Sequence, residues 1–122
     1  MGNRVMVVDD SRVTYLQMQK LLENTNYEIA AYCQDGETAI DQYNEIHPDV
    51  VTMDIIMPGM DGLETARTII EDHPDAKIVM LSSLAYDDTI DEANEIGAKG
   101  FIFKPFESEQ VLSALDKALA EA

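Results

Sequence analysis

Five short apolar runs recur along the chain, and segments with the periodicity of amphipathic helices separate them. The predicted strands are Arg4–Val8, Tyr27–Cys33, Val50–Met53, Lys77–Leu81 and Gly100–Phe103. Near-continuous apolar strands that alternate with helices predict an α/β fold, a doubly wound parallel sheet with helices on both faces. No linker or low-complexity segment interrupts the alternation, so we expect residues 1–122 to form a single domain.

Polar residues mark the predicted helix starts. Ser11, Asp61 and Ser108 are the predicted caps, and Asp35 opens the second helix. The second and third helices each end at a histidine followed by proline, because proline cannot continue a helix. We expect these histidines, His47 and His73, to be surface caps; a phosphotransfer histidine is the alternative.

The chain carries 24 acidic and 8 basic residues, which gives a formal net charge of −16. Such a field repels anionic lipid and nucleic acid, because duplex binding requires Lys and Arg to neutralise phosphates. The single cysteine, Cys33, excludes an intramolecular disulfide and a cysteine metal cluster. The sequence contains no recognisable signal peptide and no membrane-spanning apolar stretch, so we expect a cytoplasmic protein without membrane insertion.

Polar residues follow four of the predicted strands at their carboxyl ends. They are Asp9, Asp10, Asp54, Ser82 and Lys104. In an open parallel sheet, ligands bind outside the carboxyl ends of the strands, so we expect these groups to meet at one rim. Asp54 is the most informative of them, because an acid directly after a buried strand is costly unless it meets water, a metal or a partner charge.

Three clustered carboxylates repel one another unless some are protonated or a cation joins them. Hard oxygen ligands suit Mg²⁺ or Mn²⁺, whereas Zn²⁺ would favour cysteine or histidine. A bound cation would also admit a phosphoryl group, and a carboxylate such as Asp54 can attack phosphorus to form an aspartyl-phosphate. The metal and Lys104 would then offset the charge on the transferring oxygens.

Four motifs of the chain resemble those of the receiver domains of two-component response regulators, especially the stand-alone chemotaxis type. They are VVDDS at residues 7–11, DIIMPGMDG at 54–62, LSS at 81–83 and KPF at 104–106. They occur in order and at family-like spacing over essentially the whole chain. The resemblance implies the flavodoxin-like strand order 2-1-3-4-5, with five helices on both faces of the sheet.

The resemblance also implies a role for each residue at the rim. Asp54 would be the phosphoacceptor and, with Asp10, a direct ligand of Mg²⁺ or Mn²⁺. Asp9 would assist the metal largely through water, and the backbone carbonyl of Ile56 would complete its protein ligands. Lys104 would contact the phosphoryl group, and the peptide bond after it would be cis.

Phosphorylation would act as a switch in such a protein. Ser82 would move to hydrogen-bond the phosphoryl group, and Phe101 would rotate inward with it. A sensor histidine kinase would donate the phosphoryl group from a phosphohistidine, and the protein would later hydrolyse its own aspartyl-phosphate. The face built from the fourth helix, fifth strand and fifth helix would change its binding to a downstream protein, the flagellar motor or another effector. We expect the protein to act as a monomer.

Several residues differ from well-known members of this family. Phe101 stands where many members have tyrosine, and Ser82 replaces the commoner threonine but keeps the hydroxyl. Ile56 and Leu84 are apolar at two positions that flank the phosphoryl group, where they cannot orient an attacking water, so we expect slow self-hydrolysis. The acidic start of the fourth helix, Asp87–Asp88, disfavours a partner that approaches it with an acidic motif.

Other functional classes fit the sequence less well. A flavodoxin-like cofactor binder would need a hydroxyl- and glycine-rich phosphate loop after the first strand, where this chain has Asp9–Asp10. A phosphohydrolase for external substrates would need a pocket, but the loops are short. The sequence contains no Walker-type glycine-rich loop, which disfavours nucleotide binding. Within the receiver class, a chemotaxis switch, a phosphorelay intermediate and a receiver from a longer regulator all stay open.

Overall fold

The computed structural model describes residues 3–83 and 87–120, over which five strands alternate with five helices. The strands are β1 (Asn3–Val8), β2 (Tyr27–Cys33), β3 (Val50–Asp54), β4 (Ile78–Ser82) and β5 (Gly100–Phe103). The helices are α1 (Arg12–Leu21), α2 (Gly36–Ile46), α3 (Gly62–Asp72), α4 (Asp87–Ile96) and α5 (Ser108–Ala120). None of these helices is both long enough and apolar enough to cross a membrane.

The strands form one parallel sheet in the order β2-β1-β3-β4-β5. This order confirms the predicted flavodoxin-like, doubly wound fold. The direction of the strand order reverses between β1 and β3, so the connections that leave these two strands run to opposite faces of the sheet and open a crevice between them. The carboxyl ends of β1 and β3 are therefore where this fold can hold a ligand.

Two hydrophobic layers hold the helices against the two faces of the sheet. On one face, α2, α3 and α4 cover strand side chains that include Val51, Met53 and Met80. On the other face, α1 and α5 cover strand side chains that include Val50 and Val79. Successive residues of a strand point to opposite faces, so the near-continuous apolar run of β3 contributes to both layers.

Three predicted strands have boundaries that are wrong by one residue. β1 starts one residue earlier than predicted, and β4 starts and ends one residue later. β3 continues through Asp54, because the N–H of the next residue, Ile55, still donates to the carbonyl of Leu81 at 3.1 Å. Asp54 is therefore held by the sheet itself and not by the loop that follows.

Side chains cap three helices at the predicted starts. Ser11, Asp35 and Asp61 each accept a hydrogen bond from the backbone N–H three residues further on. The predicted cap at Ser108 is wrong by one position, since Ser108 is already the first residue of α5. The residue before it takes the cap position, and its N–H donates to the side chain of Gln110 at 2.9 Å.

Candidate functional site

Asp54 ends the central strand β3 beside the crevice between β1 and β3. Its side chain is buried, with 7% of the residue exposed. In the sheet it pairs with Leu81 of β4. Burying an ionised carboxylate this far is unfavourable unless neighbouring groups compensate it, so the residues around Asp54 decide its chemistry.

Two further carboxylates come from the end of β1. Asp9 is buried and Asp10 is exposed. One oxygen of each, together with one of Asp54, forms a group whose members all lie within 4.8 Å of one another. The N–H of Ser11 donates to Asp9 Oδ1 at 2.8 Å and holds that side chain in place. The structure thus brings the three predicted carboxylates together, and we call them the acidic rim.

Lys104 follows β5 and adds a positive charge to the acidic rim. Its Nζ lies 2.9 Å from Asp9 Oδ2 and 3.6 Å from Asp54 Oδ2. Its backbone N–H donates to the carbonyl of Ser82 at 2.8 Å, so the end of β4 positions the lysine. The peptide bond after Lys104 is cis, as the resemblance implied. The closer contact means that Lys104 neutralises Asp9 more fully than Asp54.

The electrostatic balance at Asp54 is unfavourable for its charged form. The pKa of Asp54 is raised from its usual 3.8 to about 6, chiefly by burial and then by the negative charge of Asp9. Lys104 acts in the opposite direction and lowers this pKa, whereas Asp10 raises it. Since Asp9 and Asp54 share the ammonium group of Lys104, a cation at the acidic rim would relieve the remaining repulsion among the carboxylates.

Gly62 lets α3 begin directly against the end of β3. Its N–H donates to the carbonyl of Ile55 at 2.7 Å. A β-carbon at position 62 would lie 2.0 Å from the backbone oxygen of Asp54 and 2.8 Å from Ile55 Cα, which is closer than such atoms can approach. Sequence reasoning missed this role. The signal in the sequence is the Asp61–Gly62 pair, which predicts a helix start but not a close approach of two backbones.

The other predicted site residues differ in exposure. Ser82 is the buried last residue of β4. Phe101 is half-buried in β5, and its ring centroid lies 5.1 Å from that of Phe103. Ile56, two residues after Asp54, is 54% exposed and presents an apolar side chain to solvent at the rim. Leu84 lies outside the described residues.

The donor set of the acidic rim fits a hard divalent cation. It consists of carboxylate oxygens from Asp9, Asp10 and Asp54, and this group contains no sulfur or imidazole ligand. Mg²⁺ prefers oxygen ligands and keeps several waters, which the exposed side of Asp10 leaves room for. An aspartate beside a cation site and an ammonium group has what nucleophilic attack on phosphorus requires.

Comparison with known proteins agrees with this geometry. The family model described as response regulator receiver domain matches residues 5–116. The chain is 38% identical over 117 residues to chemotaxis protein CheY of Thermotoga maritima, with 96% of this chain and 98% of that protein covered. It is 42% identical over 116 residues to protein CcdB of Bacillus subtilis, with 95% and 97% covered.

A solved structure also shows similarity to a chemotaxis protein. A chain in the crystal structure of the CheX–CheY–BeF3–Mg²⁺ complex from Borrelia burgdorferi superposes with a TM-score of 0.93 at 31% identity. The similarity covers 98% of this chain and 90% of that chain.

The chain belongs to the response regulator receiver domain family. It is therefore a phosphorylation-dependent switch of two-component signalling. Its similarity over nearly the whole chain to chemotaxis proteins of several organisms favours the chemotaxis type over a phosphorelay intermediate or a receiver from a longer regulator.

Proposed function

We propose that Asp54 accepts a phosphoryl group from a phosphohistidine of a sensor histidine kinase, and that the aspartyl-phosphate then changes the binding of a downstream protein. The observation that carries this proposal is the buried carboxylate of Asp54, clustered with Asp9 and Asp10 and 3.6 Å from Lys104. In this proposal residues 1–122 act as one receiver domain, monomeric and cytoplasmic.

The chain supplies the groups for its own phosphorylation. A carboxylate oxygen of Asp54 attacks phosphorus, and the new O–P bond forms while the P–N bond to the kinase imidazole breaks. The imidazole nitrogen leaves with the electron pair of the P–N bond. Lys104, held by Asp9 at 2.9 Å, stabilises negative charge on the transferring oxygens. Because these groups belong to the receiver, a small phosphodonor should replace the kinase.

We assign the metal ligands to Asp10, Asp54, Asp9 and the backbone carbonyl of Ile56. The oxygen-only donor set of the acidic rim supports Mg²⁺ or Mn²⁺ at this position. When bound, such an ion neutralises carboxylate repulsion and stabilises the negative charge of a phosphoryl group. Asp9 contributes largely through water, since one of its oxygens already accepts from Lys104 and the other from Ser11.

Ser82 and Phe101 carry the signal away from Asp54 in this proposal. The Ser82 hydroxyl moves to the phosphoryl oxygens, and Phe101 turns inward, which changes the face formed by α4, β5 and α5. The related Borrelia burgdorferi protein forms a complex with CheX. We propose that an effector protein or the flagellar motor reads the same change in this chain, which then slowly dephosphorylates itself.

Intact mass spectrometry after incubation with Mg²⁺ and acetyl phosphate tests the proposed site. We expect the wild-type protein to gain the mass of one phosphoryl group. Asp54→Asn and a wild-type sample with excess EDTA should gain nothing. If Asp54→Asn is phosphorylated as well as wild type, the phosphoacceptor is another residue. If wild type gains nothing even with a cognate kinase, the phosphorylation proposal is wrong.

A further inference from the structure

The sequence contains only two histidines, and both stand in the same tripeptide, His-Pro-Asp, at residues 47–49 and 73–75. His47 is the C-cap residue of α2, and His73 is the C-cap residue of α3. The two helices cover the same face of the sheet, and β3 and β4 begin shortly after them. The histidines therefore meet at the amino edge of the sheet, opposite the acidic rim, and the signalling chemistry uses neither of them.

His47 and His73, which we call the histidine pair, form a ring cluster with Tyr43. The ring centroids of the pair are 5.6 Å apart, with an interplanar angle of 80°. The Tyr43 centroid lies 4.9 Å from that of His73 and 6.2 Å from that of His47. His47 is exposed, His73 is half-buried and Tyr43 is buried. The histidine pair is therefore accessible to solvent and packs against the buried Tyr43 ring.

Asn44 fixes one ring of the histidine pair. Its Oδ1 lies 2.7 Å from Nε2 of His73. In the tautomer in which Nε2 donates to this oxygen, Nδ1 of the neutral ring keeps a free lone pair. A hydrogen bond on the nitrogen that does not bind is the usual way in which proteins orient a metal-binding histidine.

The separation of the two ring centroids leaves room for one ion between His47 and His73. An imidazole nitrogen binds Zn²⁺ at about 2.0–2.1 Å, so a tetrahedral ion places the centroids of two ligating rings roughly 5.3 Å apart. The observed separation is 5.6 Å. We propose that His47 and His73 together bind a first-row transition-metal ion of the zinc, nickel or copper type at the amino edge of the sheet.

The ligands of this site separate it chemically from the acidic rim. Imidazole suits zinc, nickel and copper, whereas Mg²⁺ prefers oxygen. Within the described residues, the acidic rim is the only group of three His, Cys, Asp or Glu side chains whose ligand atoms lie within 4.8 Å of one another. No third protein ligand from this part of the chain therefore joins the histidine pair, which supplies two ligands while water fills the remaining positions. The five residues of β3 place the two sites roughly 16 Å apart, which makes them independent.

Calorimetric titration with Zn²⁺ in excess Mg²⁺, which occupies the acidic rim, tests the proposal on the full chain. We expect one Zn²⁺ per chain in wild type and at least tenfold weaker binding in His47→Gln and in His73→Gln. Asn44→Ala should weaken binding several-fold, because the His73 ring loses the hydrogen bond that orients it. Asp54→Asn changes the rim alone and should bind Zn²⁺ as wild type does.

NMR of the imidazole rings gives a second readout, since each single variant assigns the signal of the remaining histidine. The NMR signals of both imidazole rings should change together until one equivalent of Zn²⁺ is added. The proposal is overturned if wild type binds no Zn²⁺ or if only one ring responds. It is equally overturned if His47→Gln and His73→Gln bind as wild type while Asp54→Asn does not. Far-UV circular dichroism establishes that each variant is folded.

Discussion

At the scale of the single residue, Asp54 links stability to pH. Its pKa is raised from the usual 3.8 to about 6, so the folded state holds this proton more tightly than the unfolded chain. The stabilising contribution is therefore complete below pH 3.8 and is lost as the pH rises through 6. The shift corresponds to about 3 kcal/mol, and solvent at the open rim reduces this to about 1–2 kcal/mol.

Asp54→Asn should therefore raise the free energy of unfolding by about 1–2 kcal/mol near neutral pH and by almost nothing near pH 4. Urea denaturation of both proteins in EDTA, across this pH range, measures the effect. The difference between the two proteins isolates Asp54, because all other carboxylates titrate in both. A difference that is the same at every pH would contradict the assignment of the shift to Asp54.

The buried hydroxyl of Thr52 should lower the free energy of unfolding. It is buried in β3, and its Oγ1 has no hydrogen-bond partner within the described part of the chain. An unsatisfied buried hydroxyl is unfavourable by about 1–3 kcal/mol, and an apolar residue of the same shape avoids this. Thr52→Val should raise the free energy of unfolding by about 1 kcal/mol in urea denaturation.

Thr65→Val is the matched control for this prediction. Thr65 is equally buried, but its hydroxyl donates to the carbonyl of Asp61 at 2.8 Å. The same chemical change should here lower the free energy of unfolding by about 1 kcal/mol. If both variants shift stability in the same direction, the hydrogen bond is not what distinguishes them.

The side chain of Ile56 leads us to expect a long-lived aspartyl-phosphate. Its exposed apolar side chain, two residues after Asp54, cannot orient a water for attack on the aspartyl-phosphate. We expect the added phosphoryl mass to decay over minutes or longer after the donor is removed. Ile56→Gln introduces a hydrogen-bonding amide and should shorten the half-life several-fold, while Ile56→Leu should not. Decay within seconds in wild type would rule out the argument.

At the scale of the element, the connection from β3 to α3 depends on one missing β-carbon. Gly62→Ala would place a methyl group 2.0 Å from the carbonyl oxygen of Asp54. The backbone must shift, so we expect a loss of roughly 2–4 kcal/mol in stability and slower phosphorylation, measured by urea denaturation and intact mass. In the same loop, Gly59 has φ of 76° and nothing within 4 Å of its added β-carbon. Gly59→Asn should be nearly neutral, since asparagine tolerates this conformation.

The same connection shows what the sequence could and could not predict. Apolar periodicity located every strand and helix, and the rule for parallel sheets brought Asp9, Asp10 and Asp54 to one edge. The sequence predicts the end of β3 one residue too early, because Asp54 belongs to the strand only through the hydrogen bond from the Ile55 N–H to β4. The preference of Lys104 for Asp9 and the close approach at position 62 depend on loop geometry, which no local pattern encodes.

At the scale of the whole molecule, the net charge of −16 makes the folded state sensitive to ions. Self-repulsion among surface carboxylates weakens as salt is added, and any cation achieves this. A specific ligand of the folded state acts differently, because it stabilises by RT ln(1 + [L]/Kd) and depends on its own binding residues. The two effects can therefore be separated by the choice of ion and of the acid that is removed.

Mg²⁺ should raise the free energy of unfolding more than Na⁺ does at equal ionic strength, by about 1.4 kcal/mol when it is at ten times its Kd. Asp10→Asn should lose most of this extra stabilisation, because the residue is a proposed ligand. Glu95→Gln removes the same charge from an exposed position on α4 and should keep all of it. Urea denaturation of wild type, Asp10→Asn and Glu95→Gln in MgCl2 and NaCl of equal ionic strength measures the Mg²⁺ effect in each protein. If both variants lose the Mg²⁺ effect equally, the ion acts as a diffuse counter-ion and the acidic rim is not a binding site.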